Sequence, residues 1–413
     1  MNSSTPEQMR ILHTSDWHLG HKLYGRQRYQ EHSDFLNWLL EQIEEQEVEA
    51  LIVAGDIFDN QTPANQSLEM YYRFLSRTAN SCCRHIIIIG GNHDSPALLN
   101  APRELLHFLN IHVVGRAPEN IEEELLVLND TGGSPELMVL AVPYLRDKDI
   151  RLSEAGESIG DKQNKMLHGI RNHYLKLSQL AANKQQQLAT KIPLIATGHL
   201  FCQGGKTRQG DGVRELYVGS LVQVGLDIFP PNIDYLALGH LHLPQQVSKQ
   251  DNRRYSGAPL AMSFTEANEQ KAVLLIDTDK QFAVQELSIP CFQSLQSISG
   301  DIDYIIKEIQ TLAQGEESIL LEINYLGQRL IDNLQEQIYA TVADTNLQVL
   351  RISNKRIYDH ILQQSSEIKT LEELTPHQVF QKCLDLNEVP EEQRREMELG
   401  FTAALSALQN EDE

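Results

Sequence analysis

The stretch IIIIGGNHDS (residues 86–95) sets four consecutive isoleucines before two glycines and the triplet Asn92-His93-Asp94. An unbroken β-branched run is the pattern of a strand buried on both faces, as in a parallel sheet covered on each side. The polar triplet then falls at the strand's carboxyl end, where open α/β sheets bind their ligands. A Gly-Asn turn capping a core strand would use the same residues, and one short match is only a hypothesis. Recurrence of the arrangement decides between the two.

Four further apolar runs end in the same way: RILHTSDWH (10–18), EALIVAGDIFD (49–59), IPLIATGHLF (192–201) and DYLALGHLH (234–242). Between the first two, Phe35, Leu36, Leu39, Leu40 and Ile43 recur at helical spacing, with Ser33 as N-cap. Leu68, Tyr71, Tyr72 and Leu75 do the same before the isoleucine run. This alternation predicts an α/β fold of stacked layers around largely buried strands. LLVLND and LMVLAVPYL, separated by TGGSPE, predict a hairpin. The Gln- and Lys-rich stretch from 163 to 188 predicts a solvated helix.

The pattern stops near SIPCFQSLQSISGD (288–301), where a domain boundary is expected. A helix-strand-helix-strand sequence follows, a small α+β unit over 289–365, and then a helical segment over 366–413 broken at Val389-Pro390. In its second helix Met397, Phe401, Leu405 and Leu408 line one face, suited to docking a partner or to packing on its own domain.

The 413 residues carry 35 Lys plus Arg against 57 Asp plus Glu, a net charge of -22, so no global basic field draws this chain to a polyanion. The five cysteines show no CxxC pair and no disulfide framework, which fits a reducing, cytoplasmic setting. The polar N-terminus and the lack of any run near the roughly 18 apolar residues of a membrane span argue against secretion and insertion.

The five strand ends deliver oxygen and imidazole donors: Asp16 and His18, Asp56 and Asp59, Asn92, His93 and Asp94, His199, and His240 with His242. Each motif alone is weak, but all five lie where parallel strands would converge on one rim. Carboxylate, carboxamide and imidazole without thiolate suit Mn, Fe or Zn rather than a thiolate zinc or all-oxygen calcium site. The set exceeds one tetrahedral site and fits two metals sharing a carboxylate. Strand alternation would place Asp16 and His18 on one face, and likewise His240 and His242. Two such ions can clamp a phosphoryl oxygen, generate hydroxide and stabilise in-line displacement.

The motifs DxH, GDxxD, GNHD, GH and GHxH, in this order, resemble those of the calcineurin-like metallophosphoesterases. Within that superfamily HTSDWHLG (13–20), LNIHVV (109–114), YSGAPLAMSF (255–264) and the two-part tail resemble the nuclease subunits of bacterial DNA-end-processing complexes. The resemblance is strong over residues 9–290 and looser beyond. It implies a layered β-sandwich flanked by helices over 9–288, a capping domain and a partner-binding tail. It implies that Asp16, His18, Asp56 and His242 hold one metal, that Asn92, His199 and His240 hold the second, and that Asp56 bridges. His93 then acts on the scissile phosphate or leaving oxygen as general acid. Asp59 sits where some relatives place a carboxylate paired with that histidine, and archaeal relatives a histidine. Asp94 would have a structural or orienting part. Mn is the family's usual activating metal. The resemblance further implies a DNA substrate, a coiled-coil ATPase partner that binds the ATP, and pairing of catalytic domains into a homodimer within a heterotetramer. Tyr71, Tyr72 and Phe74 are candidate contact residues for that pairing.

CQGGKT (202–207) has the ending of a phosphate loop, but Leu200 stands where its first glycine is required, so no nucleotide site is read here. Arg10, Lys22, Arg26, Arg28, Arg253 and Arg254 flank the metal motifs as candidate phosphate contacts or as ordinary surface charge. The leading function is a DNA nuclease acting on duplex ends, hairpins and single strands. A small-molecule phosphodiesterase or phosphatase of the same superfamily would explain the acidic charge but not the tail. An inactive scaffold would not keep every donor.

Overall fold

The fold is seen in a computed structural model that describes residues 9–150, 157–188, 190–203, 223–278, 282–327, 329, 331, 333–354 and individual positions between 375 and 402. The chain divides into two compact units, Met1–Gln293 and Ser294–Glu413. The first begins with β1 (Arg10–Thr14), the short hairpin β2 (Lys22–Leu23) and β3 (Arg26–Gln27), α1 (Tyr29–Glu45), β4 (Ala50–Ala54), α2 (Asn65–Ala79) and β5 (His85–Ile89). It continues through α3 (Pro96–Asn100), α4 (Arg103–His107), β6 (Ile111–Val114), β7 (Leu125–Asn129), β8 (Pro135–Leu140), α5 (Asp147–Ile150) and α6 (Ile159–Gln187). It closes with β9 (Leu194–His199), β10 (Tyr235–Gly239), β11 (Gln245–Val247), β12 (Gln250–Tyr255), β13 (Ala272–Asp277) and β14 (Ala283–Ser288).

These strands form two six-stranded sheets, ordered β14-β13-β1-β4-β5-β6 and β11-β12-β10-β9-β8-β7. The isoleucine run shows why they stack. Ile86 and Ile88 belong to the helix-side core with Phe35 and Leu39 of α1 and Phe74 of α2. Ile87 and Ile89 point the other way, into a core shared with Ile195, Tyr235 and Ala237 of the second sheet. Each buried isoleucine contributes about 1.5–3 kcal/mol, so a strand with no polar face is stable only between two apolar layers. β1, β4 and β5 run parallel, as do β9 and β10, which sets their carboxyl ends side by side within each sheet.

Several local expectations change. α1 starts at Tyr29 after Arg28, and Ser33 lies inside it rather than capping it. α6 is not a solvated rod: Ile170, Tyr174, Leu177 and Ala181 form an apolar stripe buried against the second sheet. The surrounding Gln and Lys residues obscure that stripe in the sequence. The 125–140 hairpin is present as antiparallel β7 and β8. β13 extends the first sheet antiparallel to β1, and β14 continues it antiparallel to β13, both outside the strand-then-motif pattern.

The second unit holds β15 (Ser294–Gly300), α7 (Ile302–Leu312), β16 (Ile319–Tyr325), α8 (Leu334–Val342) and β17 (Leu347–Asn354). Its three strands form a parallel sheet in chain order. Ile298, Leu321 and Ile323 of the sheet pack with Ile305 and Ile309 of α7 and Ile338 of α8. The Asp301 side chain caps α7, accepting the Tyr304 amide at 2.9 Å. β15 is an element the sequence pattern did not announce. In the tail Phe401 stacks on Phe380 with centroids 4.1 Å apart, and Met397 is exposed. Leu405, Leu408, the break at Val389-Pro390 and the GKT loop lie outside the described residues. Among the described residues no helix is long and apolar enough to cross a membrane.

Candidate metal centre

The loops after β1 and β4 are joined along their backbones. Asp16 N donates to Gly55 O at 2.9 Å, His18 N to Asp56 O at 3.0 Å and Leu19 N to Ile57 O at 2.9 Å. Between the two donors of DxH, Trp17 turns into the helix-side core, edge-on to Phe35 and Phe74, and anchors the loop. Asp16 and His18 therefore do not share a face by strand alternation. They sit in left-handed backbone, with φ of 52° and 46°, as do Asp56 at 50° and His240 at 102°. Such conformations cost free energy and persist where surrounding structure over-determines them.

Two clusters result. The ligand atoms of Asp16, His18 and His242 lie within 4.8 Å of one another, and so do those of Asp56, His199 and His240. GHxH thus divides its histidines between the clusters rather than giving both to one ion. Asp56 Oδ2 stands between the groups, 3.2 Å from His199 Nε2 and 3.8 Å from His18 Nε2. Asn92 Oδ1 joins the second group, 2.9 Å from His199 Nε2 and 3.0 Å from His240 Nδ1. Close approach depends on glycine: a Cβ on Gly91 would lie 2.1 Å from Asp56 Oδ1, and one on Gly239 would lie 2.0 Å from Ala54 O. Asn92, His93 and His240 are only partly buried, so the centre opens on their side.

His93 belongs to neither cluster, although its ring meets that of His18 edge-on with centroids 5.0 Å apart. Its amide donates to Asp56 Oδ1 at 2.9 Å, and its Nδ1 donates to the backbone oxygen of Asp59 at 2.8 Å. The Asp59 carboxylate, expected to pair with His93, instead faces His21, whose Nδ1 is 2.8 Å from Oδ1. Asp94 is fully buried and accepts the amides of Gly91, Ile57 and Phe58 at 2.8, 3.2 and 3.0 Å, joining the GNHD loop to the GDxxD loop. Ser15 and Ser256 were missed in the sequence. Ser15 Oγ donates to Asp16 Oδ2 and meets Ser256 Oγ at 2.8 Å.

The electrostatics suit cations. Burial holds His18 well below its ordinary value, and burial followed by the adjacent His199 lowers His240 to about 3. Burial also raises the Asp16 carboxyl. His199 goes the other way: against burial, the Asp56 charge and then Asp16 lift it to about 9. Asp56 and Asp16 thus favour positive charge beside them. His18 Nδ1 and Nε2 and His242 Nδ1 are buried without a hydrogen-bond partner among the described residues. Unpaired nitrogens beside buried carboxylates fit a site for divalent metal, and the N/O donor set suits a borderline or hard ion.

The flanking arginines are engaged within the fold. Arg28 holds Glu31 and the Ala261 carbonyl, Arg253 the carbonyls of Ile233 and Asp234, and Arg254 both Glu286 and Asp251. All three are under a tenth exposed, so none is a ready phosphate contact. Arg10 reaches the Gln46 carbonyl, and Lys22 is exposed.

Family models match this chain twice: calcineurin-like phosphoesterase over residues 9–244, and type 5 capsule protein repressor C-terminal domain, SbcD_C, over 291–388. The SbcD subunit of the SbcCD nuclease from Escherichia coli K12 is 34% identical over 98% of this chain and 100% of the relative. Its counterparts from Rhodobacter capsulatus and Bacillus subtilis are each 35% identical, over 68% and 65% of this chain and 69% and 66% of theirs. With the two-sheet fold and a clustered donor set at its strand ends, the chain belongs to the calcineurin-like metallophosphoesterases and, within them, to the SbcD family.

Proposed function

We propose that this chain is a two-metal DNA nuclease acting with an SbcC-type coiled-coil ATPase in DNA end processing, repair and recombination. It would cut duplex ends as an exonuclease and hairpins or single strands as an endonuclease. The observation that carries the reading is the gathering of seven donors from five strand ends beside a histidine outside the donor set. Asp16, His18 and His242 would hold one ion and Asn92, His199 and His240 the other, with Asp56 placed between the two groups. Bound there, two divalent ions, Mn in our reading, supply Lewis acidity and the nucleophile for in-line displacement.

The protein's own groups do the rest. A carbonyl only accepts, so His93 carries its Nδ1 proton toward Asp59 O and turns Nε2 away from that bond. A protonated Nε2 donates to the leaving 3′ or 5′ oxygen, which makes His93 the general acid. Asp59, oriented toward His21, takes no direct part in that transfer.

Residues 9–288 form the nuclease domain, 289–365 the cap and 366–413 the segment that binds SbcC, which brings the ATP. A homodimer of catalytic domains within a heterotetramer is supported by Leu105, Phe108 and Leu109, at and just after α4, which are 69%, 86% and 50% exposed. Exposed apolar side chains gathered on one short segment suit an interface. Tyr71 and Phe74 are core residues, and Tyr72 alone of that trio is partly exposed. The setting is cytoplasmic.

A small-molecule phosphodiesterase is the second reading, favoured by the net charge of -22 and by arginines already committed inside the fold. One assay separates them: an end-labelled duplex and a generic small diester are offered to the chain, alone and with SbcC and ATP, in Mn and in EDTA. Mn-dependent DNA cleavage enhanced by the partner supports the nuclease. Hydrolysis of the small diester alone supports the second reading. Deleting the segment after Leu371 should spare hydrolysis and remove SbcC from the complex on a sizing column.

A further inference from the structure

Behind each imidazole of the Asp16, His18, His242 cluster stands a carboxylate from outside the donor set. Asp59 Oδ1 lies 3.7 Å from His18 Nδ1, and Glu266 Oε1 lies 3.7 Å from His242 Nδ1. Both imidazole nitrogens, and Glu266 Oε1, are buried without a hydrogen-bond partner among the described residues. Each gap exceeds a hydrogen bond by under about 1 Å, so a small adjustment closes it.

Each carboxylate is itself held by a donor. His21 Nδ1 is 2.8 Å from Asp59 Oδ1. Lys271 Nζ holds Glu266 Oε2, which also accepts the Met262 amide at 3.2 Å. The same ammonium reaches the backbone oxygen of His242 at 3.2 Å, fixing both the carboxylate and the residue it faces. Glu266 is 1% and Lys271 6% exposed, so this pair is no solvated surface contact. Glu266 ends a short 3₁₀ turn, Phe264–Glu266, that begins at the last residue of the YSGAPLAMSF stretch, whose conspicuous sequence the donor set leaves unexplained.

The second cluster is built differently. His199 Nδ1 donates to the neutral carbonyl of Ala54 at 2.9 Å. A carbonyl fixes the ring and its tautomer, whereas a carboxylate also raises the basicity of the ligating nitrogen.

Resting on the two-metal reading above, we propose that Asp59 and Glu266 are positioning residues, locked by His21 and Lys271, that orient His18 and His242 through Nδ1 and make theirs the tighter of the two metal sites.

The test is MnCl2 titration into the metal-stripped full chain, with free Mn read by EPR, for wild type, Asp59→Asn and Glu266→Gln. The expected result is two binding classes in wild type, with the tighter one weakened about 10–100-fold in each variant and the weaker one unmoved. In a His242→Ala background, Glu266→Gln should add no further loss. Unchanged binding, equal weakening of both classes, or additive loss in that background overturns the inference. If Glu266→Gln fails to fold, Asp59→Asn, at a side chain 23% exposed, carries the same prediction. Wild type that takes up no Mn overturns the two-metal reading itself, whereas uptake in two classes that neither variant alters overturns only the positioning role.

Discussion

His93 is oriented by the backbone of Asp59, not by its side chain: Nδ1 donates to the main-chain oxygen at 2.8 Å while the carboxylate turns to His21. The two residues therefore separate in their effects. His93→Gln should keep Mn affinity and lower kcat by about 10²–10⁴, the usual contribution of a positioned acid. Asp59→Asn should raise the Mn concentration for half-maximal rate more than it lowers kcat. Asp56→Asn should lose bound metal outright, so metal content and turnover measured on the three variants give three patterns. Metal loss in His93→Gln equal to that in Asp56→Asn would remove the separate role of His93.

Gly239→Ala tests the need for close backbone approach. Its Cβ would stand 2.0 Å from Ala54 O and 2.9 Å from His199 Nδ1. The strand end must shift, so metal affinity should fall at least tenfold while the secondary-structure signal in circular dichroism is retained. Wild-type affinity in this variant would show that the loop has slack the geometry denies.

Asp94→Ala leaves three buried amides without their acceptor. At about 1–3 kcal/mol for each orphaned donor, the loss should be roughly 3 kcal/mol or more in urea unfolding of the metal-stripped chain. A loss under about 1 kcal/mol would mean that water replaces the carboxylate.

Acid sensitivity should arise in part away from the centre. Burial, then the neighbouring Arg28, lowers His32 to about 3, while an imidazole in the unfolded chain titrates near its ordinary 6.5. Below pH 6.5 the unfolded chain binds a proton that the folded chain refuses, so stability falls as pH drops from about 6.5 toward 3. The slope is about 1.4 kcal/mol per pH unit for one such residue. His32→Gln in EDTA should show a shallower fall between pH 6 and 5 than wild type. An unchanged slope would mean that His32 is protonated in the fold.

The parts of this molecule legible in sequence were those written locally. The isoleucine run declares a strand covered on both faces, and the short motifs at strand ends are contiguous, so five donor-bearing loops could be read from spacing alone. Contacts between distant segments were not legible. Nothing in GDIFD says that its last carboxylate turns to His21, or that Glu266, some two hundred residues on, stands behind His242. Arg253 and Arg254 read as surface charge because their acceptors, the Ile233 carbonyl and Glu286, are joined to them only by the sheets. Strand alternation also failed at DxH, where left-handed backbone brings both donors inward.

The pairing of β1 with β13 carries a further consequence. Every candidate ligand lies between Asp16 and His242, and the calcineurin-like match ends at residue 244. Yet Ile11, Leu12 and His13 find their antiparallel neighbours only at Leu274, Leu275 and Ile276. The shortest polypeptide with the full chemistry is thus shorter than the shortest that completes its sheet. As the chain leaves the ribosome, all the donors emerge while one edge of an apolar strand still lacks its partner, an interval in which such edges recruit other chains. Fragments cut just after the last motif should therefore aggregate rather than bind metal, and β13 with β14 acts as the closure that makes the newborn enzyme safe.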